Sequence, residues 1–110
     1  MCLACLLLVS LVQADELPVP KLTGRVVDMA GLLSADEVAK VDRALRQFET
    51  DTGGQMVVLI IASLKGESIE AFSLRVANTW GIGHKGKDDG LVFTVAVQDR
   101  RTRLEVGNGY

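Results

Sequence analysis

Apolar residues recur with a helical period in two segments of this chain. The first segment covers about residues 35–51, and its apolar stripe consists of Val38, Val41, Leu45 and Phe48. Ser34 and Glu37 precede this stripe with the spacing of a capping box, and Gly53–Gly54 follows it as a stop signal. The second segment begins after Ser68, and its stripe consists of Ile69, Phe72, Val76 and Trp80. The pattern therefore predicts two amphipathic helices.

Four other segments have strand character. Residues 55–62 and 91–97 are continuous aliphatic runs, which are typical of central strands covered on both faces. Residues 25–28 form a short β-type stretch, and residues 103–106 alternate as an edge strand does. The order is β-α-β-α-β-β, which predicts an α/β sandwich with a mixed sheet. The helical crossover predicts that the two aliphatic strands are parallel.

The N-terminal segment has the pattern of an export signal. Residues 1–12 are almost entirely apolar and too short to span a bilayer, and Val12-Gln13-Ala14 resembles a cleavage site. We therefore expect a signal peptide over residues 1–14, a proline-spaced linker over 15–24 and one domain over 25–110. The chain is then exported to the periplasm or the extracellular space. Both cysteines, at positions 2 and 5, leave with the signal, so no disulfide framework is expected.

Composition and charge exclude several function classes. The chain has 110 residues, which is enough for one domain, and a formal net charge of −2. This balance gives no electrostatic footprint for nucleic acid. The glycine-rich loop over residues 81–90 follows a helix and opens a strand, whereas a dinucleotide fingerprint follows a strand and opens a helix. A nucleotide cofactor is therefore not expected.

Candidate chemistry is carried by aspartates at two places. Asp88 and Asp89 lie in the glycine-rich loop, where adjacent carboxylates and loop carbonyls suit Ca²⁺ or Mg²⁺. Asp28 and Asp99 follow two strands, and we expect them at the edge where the carboxyl ends of the parallel strands lie. The simpler interpretations are a solvated turn for the first pair and local turn caps for the second. The sequence leaves open which end of the sheet carries a site.

The order of several short motifs resembles the TPM domain family. The motifs are Val26-Val27-Asp28, Gly31-Leu32-Leu33-Ser34, Thr52-Gly53-Gly54-Gln55, Trp80-Gly81-Ile82-Gly83, Gly86-Lys87-Asp88-Asp89-Gly90, Asp99-Arg100 and Val106-Gly107-Asn108-Gly109. The resemblance implies an α/β/α sandwich outside the cytoplasm, which in many members is tethered by a membrane helix. Some members bind calcium, and acid phosphatase activity has been attributed to one. The acidic positions of the family fall here on Asp28, Asp88, Asp89 and Asp99, with Arg100 beside the last.

The resemblance also implies a longer domain. Members of the family continue after the Gly-Asn-Gly segment into further helices, so we expect this chain to lack C-terminal helices. One face of the sheet is then incompletely covered, and its apolar residues form a patch prone to association.

Three functions follow from these observations. The first is an exported accessory domain that binds Ca²⁺ or Mg²⁺ and helps to assemble or maintain a membrane protein complex, either alone or within a membrane-tethered parent chain. Asp28, Asp88, Asp89 and Asp99 supply oxygen ligands, and Arg100 orients a carboxylate or an anionic partner. The second is a metal-assisted acid phosphatase with Asp28 or Asp99 as nucleophile or base. The third is a module that only packs against a partner.

Overall fold

The computed structural model describes residues 16–83 and 89–107, which form one four-stranded sheet with two helices. The strands are β1 (Val26–Asp28), β2 (Gln55–Ile61), β3 (Gly90–Ala96) and β4 (Arg101–Val106). The helices are α1 (Ala35–Thr52) and α2 (Ile69–Trp80). The spatial order of the strands is β1-β2-β3-β4, with β1, β2 and β3 parallel and β4 antiparallel to β3. The predicted α/β class, element order and parallel pairing are confirmed.

Both helices begin and end at the residues that the sequence marks. The hydroxyl of Ser34 accepts the backbone N–H of Glu37, and the Glu37 carboxylate accepts the backbone N–H of Ser34. At the other end of α1, Gly53 has a φ of 78°, a left-handed conformation that costs glycine little. Ser68 caps α2 through the backbone N–H of Ala71. The capping box predicted from the sequence is therefore present, and local signals alone fix the helix bounds.

The first face of the sheet carries the larger core. Helix α2 packs there against β3 and β4, and its Phe72 and Val76 side chains are 1% and 0% exposed. The buried cluster consists of Val27, Val57, Leu59, Ile61, Leu64, Ile69, Phe72, Val76, Val92 and Ala96. Removing this apolar surface from water, at about 25 cal/mol per Å², is the main term that stabilises the fold.

A short N-terminal segment completes the cover of the first face. Residues 16–20, which we call the strap, lie within the segment expected as a linker. The side chains of Leu17 and Val19 pack against the buried cluster. The indole N–H of Trp80 donates a 2.8 Å hydrogen bond to the carbonyl of Pro20. The strap is therefore part of the packed domain.

Within the described residues, the second face of the sheet is covered over only half its width. Helix α1 packs there against β1 and β2, with Leu45 as its one buried residue. Beyond α1, Phe93 of β3 is half-buried, and its partner Leu104 on β4 is 45% exposed. Val106, two residues further along β4, is 46% exposed. Among the described strands, β4 therefore carries the most exposed apolar side chains of this face.

A buried polar pair joins α2 to the sheet and gives the first prediction. Ser73 and Thr94 are both 0% exposed, and their hydroxyls share a 2.9 Å hydrogen bond. Ser73→Ala or Thr94→Val alone leaves one buried hydroxyl with a lost partner, which we expect to lower the free energy of unfolding by about 1–3 kcal/mol. The double variant removes both hydroxyls and should cost less than the sum of the two single variants. Urea unfolding measures all three, and strictly additive losses would contradict the coupling.

Candidate functional site

Asp28 lies at the carboxyl end of β1, as predicted, and both of its oxygens accept backbone N–H groups. Its Oδ1 accepts from Ala30 at 3.1 Å and its Oδ2 from Leu33 at 2.8 Å. Partial burial raises the pKa of Asp28, but the backbone N–H groups of residues 30–33 outweigh burial and hold the pKa below its ordinary value of 3.8. The carboxylate is therefore ionised at neutral pH, and it fixes the loop that leads into α1.

Asp99 lies at the same edge of the sheet and also fixes a loop. Its Oδ1 accepts the backbone N–H of Leu64 at 2.8 Å, which ties the turn after β3 to the turn after β2. Arg100 follows in a left-handed conformation with a φ of 54°, and its side chain is exposed. Asp28 and Asp99 thus lie at the same edge of the sheet, as expected. They follow β1 and β3, which β2 separates, and they accept hydrogen bonds from different loops, the loop after β1 and the loop after β2. The contacts of Asp28 are those of a local turn cap, whereas the contact of Asp99 joins two turns that are 35 residues apart in the sequence.

Several of the family-like motifs meet at the opposite edge, where β2 and β3 begin. The side chain of Gln55, the first residue of β2, accepts the backbone N–H of Gly83 at 3.0 Å. The backbone N–H of Gln55 donates to the carbonyl of Asp89 at 3.2 Å, and Gly107 donates to the carbonyl of Gly90 at 2.9 Å. Segments that are distant in the sequence therefore converge at this edge, which we call the amino end.

Three polar side chains at the amino end form a continuous series of hydrogen bonds. Arg25 donates to Glu49 Oε2 at 2.7 Å, and the side-chain amide of Gln55 donates to Glu49 Oε1 at 3.1 Å. Because Gln55 also holds Gly83, this series connects the start of β1, the end of α1 and the loop after α2. A pocket of about 400 Å³ opens beside it. This amino-end pocket is lined by residues 22–25, Glu49, residues 55–57 and residues 80–82.

Two glycines let the backbone strands of the amino end approach each other. A Cβ at Gly83 would lie 2.7 Å from the backbone nitrogen of Gly90 and 2.9 Å from Oδ1 of Asp89. A Cβ at Gly90 would overlap the carbonyl group of Ile82. Residues 83 and 89 are therefore neighbours in space, and the loop between them starts and ends at one point. Only glycine allows such an approach at these positions.

The four predicted cation ligands do not lie in one place. Strand β3 separates Asp89 from Asp99 by seven residues, or roughly 20 Å at about 3.3 Å per residue. Asp88 lies outside the described residues. Within residues 16–83 and 89–107, no group of three or more His, Cys, Asp or Glu side chains could hold a metal ion. A single ion held by all four aspartates is thus incompatible with the topology, and the two ends have to be considered separately.

Comparison with known proteins identifies the class of this fold. The chain is similar to the solved N-terminal domain of a protein from P. gingivalis, with 30% identity over 83% of this chain and a TM-score of 0.74. It also resembles the N-terminal domain of the cg2496 protein from Corynebacterium glutamicum, with 16% identity over 90% of this chain and a TM-score of 0.69. The chain spans 61% and 63% of those domains. No curated protein matches the chain.

The TPM domain family model matches residues 26–110. The protein therefore belongs to the TPM domain family, as its motif order suggested. The matched region covers all the strands and helices given above and both ends of the sheet. The strap lies just before it, at residues 16–20. In the described part of the chain, neither helix has the length and apolarity needed to cross a bilayer.

Sequence reasoning missed the residues that build the amino-end pocket. Arg25 and Gln55 fall at the starts of two predicted strands and Glu49 falls in the first predicted helix, and no sequence pattern connects the three, although they form one hydrogen-bonded chain. Trp80 was assigned to the apolar stripe of α2, and its indole N–H was given no partner. One signal was available: a polar Gln opens an otherwise aliphatic strand directly after Gly53–Gly54.

The close approach at the amino end predicts an unequal response to alanine. Gly90→Ala places a methyl group into the Ile82 carbonyl, so the backbone must shift, and we expect a loss of at least about 2 kcal/mol in the free energy of unfolding. Gly24→Ala is the matched control, because nothing lies within 4 Å of a Cβ there, and we expect a change within about 0.5 kcal/mol. Urea unfolding distinguishes the two, and equal stabilities would contradict the described contact.

The Asp28 contacts predict a pH-dependent contribution to stability. A carboxyl whose pKa is lowered by folding stabilises the native state above its unfolded pKa and loses this effect as the pH falls through its folded pKa. Asp28→Ala should therefore be less stable than the wild type at pH 6, and the gap should shrink on going to pH 3 and below. Asp36→Ala, at an exposed position in the first turn of α1, is the control, with a small gap throughout. A gap for Asp28→Ala that is constant with pH would show that its carboxylate form is not responsible.

Proposed function

We propose that this TPM domain is an exported accessory domain that binds a divalent cation, Ca²⁺ in the first place, at the amino end of its sheet. The observation that carries the proposal is the convergence there of Gln55, Gly83, Asp89 and Gly107 through backbone and side-chain hydrogen bonds. Four of the motifs behind the family resemblance contribute these residues. A site that draws on distant segments is the arrangement expected where a fold positions groups for a ligand.

The donor chemistry at the amino end suits a hard cation. Ca²⁺ takes six to eight oxygen ligands from carboxylates and backbone carbonyls. Asp89 supplies a carboxylate there, and the adjacent Asp88, outside the described residues, is the second carboxylate of the proposal. The close approach of Gly83 and Gly90 brings backbone groups next to Asp89. The two carboxylates of the proposal are oxygen ligands, which Ca²⁺ prefers.

The aspartates at the other edge have a different part in this proposal. Both oxygens of Asp28 and Oδ1 of Asp99 accept backbone N–H groups, so we assign these carboxylates to loop fixation. Arg100 is exposed beside Asp99 and remains the candidate contact for an anionic group of a partner. In the full proposal, residues 1–14 direct export, and the domain supports the assembly or maintenance of a membrane protein complex.

A metal-assisted acid phosphatase is the second candidate, because the matching family model has the word phosphatase in its name. Such an enzyme needs an ionised carboxylate near the phosphoryl group as nucleophile or base. Asp28 is an ionised carboxylate at neutral pH, since backbone N–H groups lower its pKa. Those same hydrogen bonds occupy its oxygens, which favours the binding module over the enzyme. A module that packs against a partner without metal is the third candidate.

A thermal melt of the chain in EDTA, Ca²⁺ and Mg²⁺ tests the proposal. At a hundredfold excess over Kd, a ligand of the native state stabilises it by about 2.7 kcal/mol, or roughly ten degrees for a domain of this size. We expect this shift with Ca²⁺, a reduced shift in Asp89→Asn and in Asp88→Asn, and an unreduced shift in Asp99→Asn. The Asn variants keep the shape of the side chain and remove its charge.

The outcomes separate the three functions. Loss of the Ca²⁺ shift in Asp99→Asn but not in Asp89→Asn would move the site to the other edge. Metal-dependent hydrolysis of p-nitrophenyl phosphate that disappears in Asp28→Ala would favour the enzyme. A cooperative melt with no metal-dependent shift would leave the packing module as the remaining function.

A further inference from the structure

An ion pair between Arg75 of α2 and Glu67, in the turn before α2, holds the backbone of the strap, and we call this pair the clamp. Arg75 donates through both terminal nitrogens to the carboxylate of Glu67, and one of these nitrogens also donates to the carbonyl of Leu17 at 2.6 Å. The Glu67 carboxylate in turn accepts the backbone N–H of Leu17 at 3.2 Å. The ion pair thus holds two consecutive peptide groups of the strap, those on either side of Leu17. The Arg75 side chain is only 25% exposed and that of Glu67 17%.

Further contacts of Arg75 preorganise the clamp. Arg75 also lies over the ring of Phe72, with its guanidinium carbon 5.4 Å from the ring centroid, and it lies 3.6 Å from the Glu16 carboxylate. Planar, forked guanidinium groups lose little freedom when they form several such contacts at once. Hydrogen bonding from Arg75 lowers the pKa of Glu67, so the pair stays charged at neutral pH. The clamp therefore holds Leu17 through charge-assisted hydrogen bonds.

The strap leads from the clamp to the amino-end pocket. Helix α2 runs from the carboxyl ends of the strands toward the amino end, and the strap follows it from Leu17, at the clamp, to Pro20, at Trp80. Trp80 lines the pocket and is fixed to the strap through its indole N–H. Residues 22–25, which begin one residue after the end of the strap, also line the pocket.

We infer that the Glu67–Arg75 clamp is a positioning device for the amino-end pocket, which exists in its described form only while the strap is docked. The clamp itself lies outside the pocket lining. It acts through Leu17, then through the hydrogen bond between Pro20 and Trp80, and finally through the wall at residues 22–25. A ligand in the pocket must then favour the docked strap, and a docked strap must favour the ligand, by the same factor. This coupling of strap and pocket stands without the cation; only its effect on Ca²⁺ affinity rests on the proposed function.

Hydrogen exchange in the metal-free full chain tests the coupling. Arg75→Met keeps the apolar stem of the side chain and removes the guanidinium group that holds Leu17. The strap should then open more often, and the indole N–H of Trp80 should exchange at least tenfold faster. The backbone N–H of Leu59, in the centre of β2, should change much less, because strap release is a local opening. Arg46→Met is the matched control: Arg46 pairs with Asp42 on an exposed face of α1 and does not touch the strap. Glu67→Gln removes the charge of the other partner of the clamp. It tests the same contact independently if Arg75→Met does not fold.

Each outcome decides the inference. Faster exchange at Trp80 alone, in Arg75→Met and Glu67→Gln but not in Arg46→Met, supports it. Unchanged exchange at Trp80, or an equal acceleration at Trp80 and Leu59, overturns it, since the strap is then either not held by the clamp or not separable from the core. Calorimetry with Ca²⁺ is a second experiment. Gln55 lines the pocket and also holds Gly83, which lies beside Asp89, so we expect Arg75→Met to raise the Kd for Ca²⁺ fivefold or more. If the wild-type chain binds no Ca²⁺, the proposed function fails, while the exchange data still decide the coupling.

Discussion

This fold depends on shielding both faces of its two central strands from water. β2 and β3 are aliphatic on both faces, so each face must be shielded from water. Two helices cannot cover both faces over four strands, and the structure places them diagonally. Helix α2 lies over β3 and β4 on the first face, and α1 lies over β1 and β2 on the second. The strap fills part of the gap on the first face, whereas Leu104 and Val106 mark the gap on the second.

The acidic residues of the carboxyl edge show how the loops between these layers are kept in place. A loop that folds back on a sheet leaves backbone N–H groups without a ladder partner, and each such group needs an acceptor. Asp28 and Asp99 are those acceptors for the loops after β1 and β2. A carboxylate is a stronger acceptor for this purpose than a neutral side chain. Acidic residues that follow a strand are therefore not sufficient grounds for assigning a metal site.

The sequence was most informative where local rules decide the structure. Ser34, Glu37 and the glycines after both helices marked the helix ends, and the aliphatic runs marked two strands within one residue. The edge that holds Asp28 and Asp99 also followed from element order alone. The amino-end pocket did not, because its polar chain joins residues 25, 49, 55 and 83, which no periodicity connects. The strap was read as a linker for the same reason: its partners, Glu67, Arg75 and Trp80, lie about 50 to 60 residues away.

The energetics of the strap explain why the pocket should respond to it. Ordering five residues costs about 1–2 kcal/mol each in backbone entropy. Two partly buried apolar side chains, at up to about 1.5–3 kcal/mol each, and a few hydrogen bonds of about 1 kcal/mol offset a cost of this size with little left over. We therefore expect the strap to open more readily than the core of the domain. Residues 22–25 and Trp80 make up part of the pocket lining, so we expect this part of the pocket to open with the strap, whereas the part formed by Glu49 and residues 55–57 belongs to α1 and β2. A ligand that binds in the pocket then shifts the equilibrium between the docked and the released strap. The binding free energy needed for this shift is too small to change the stability of the core.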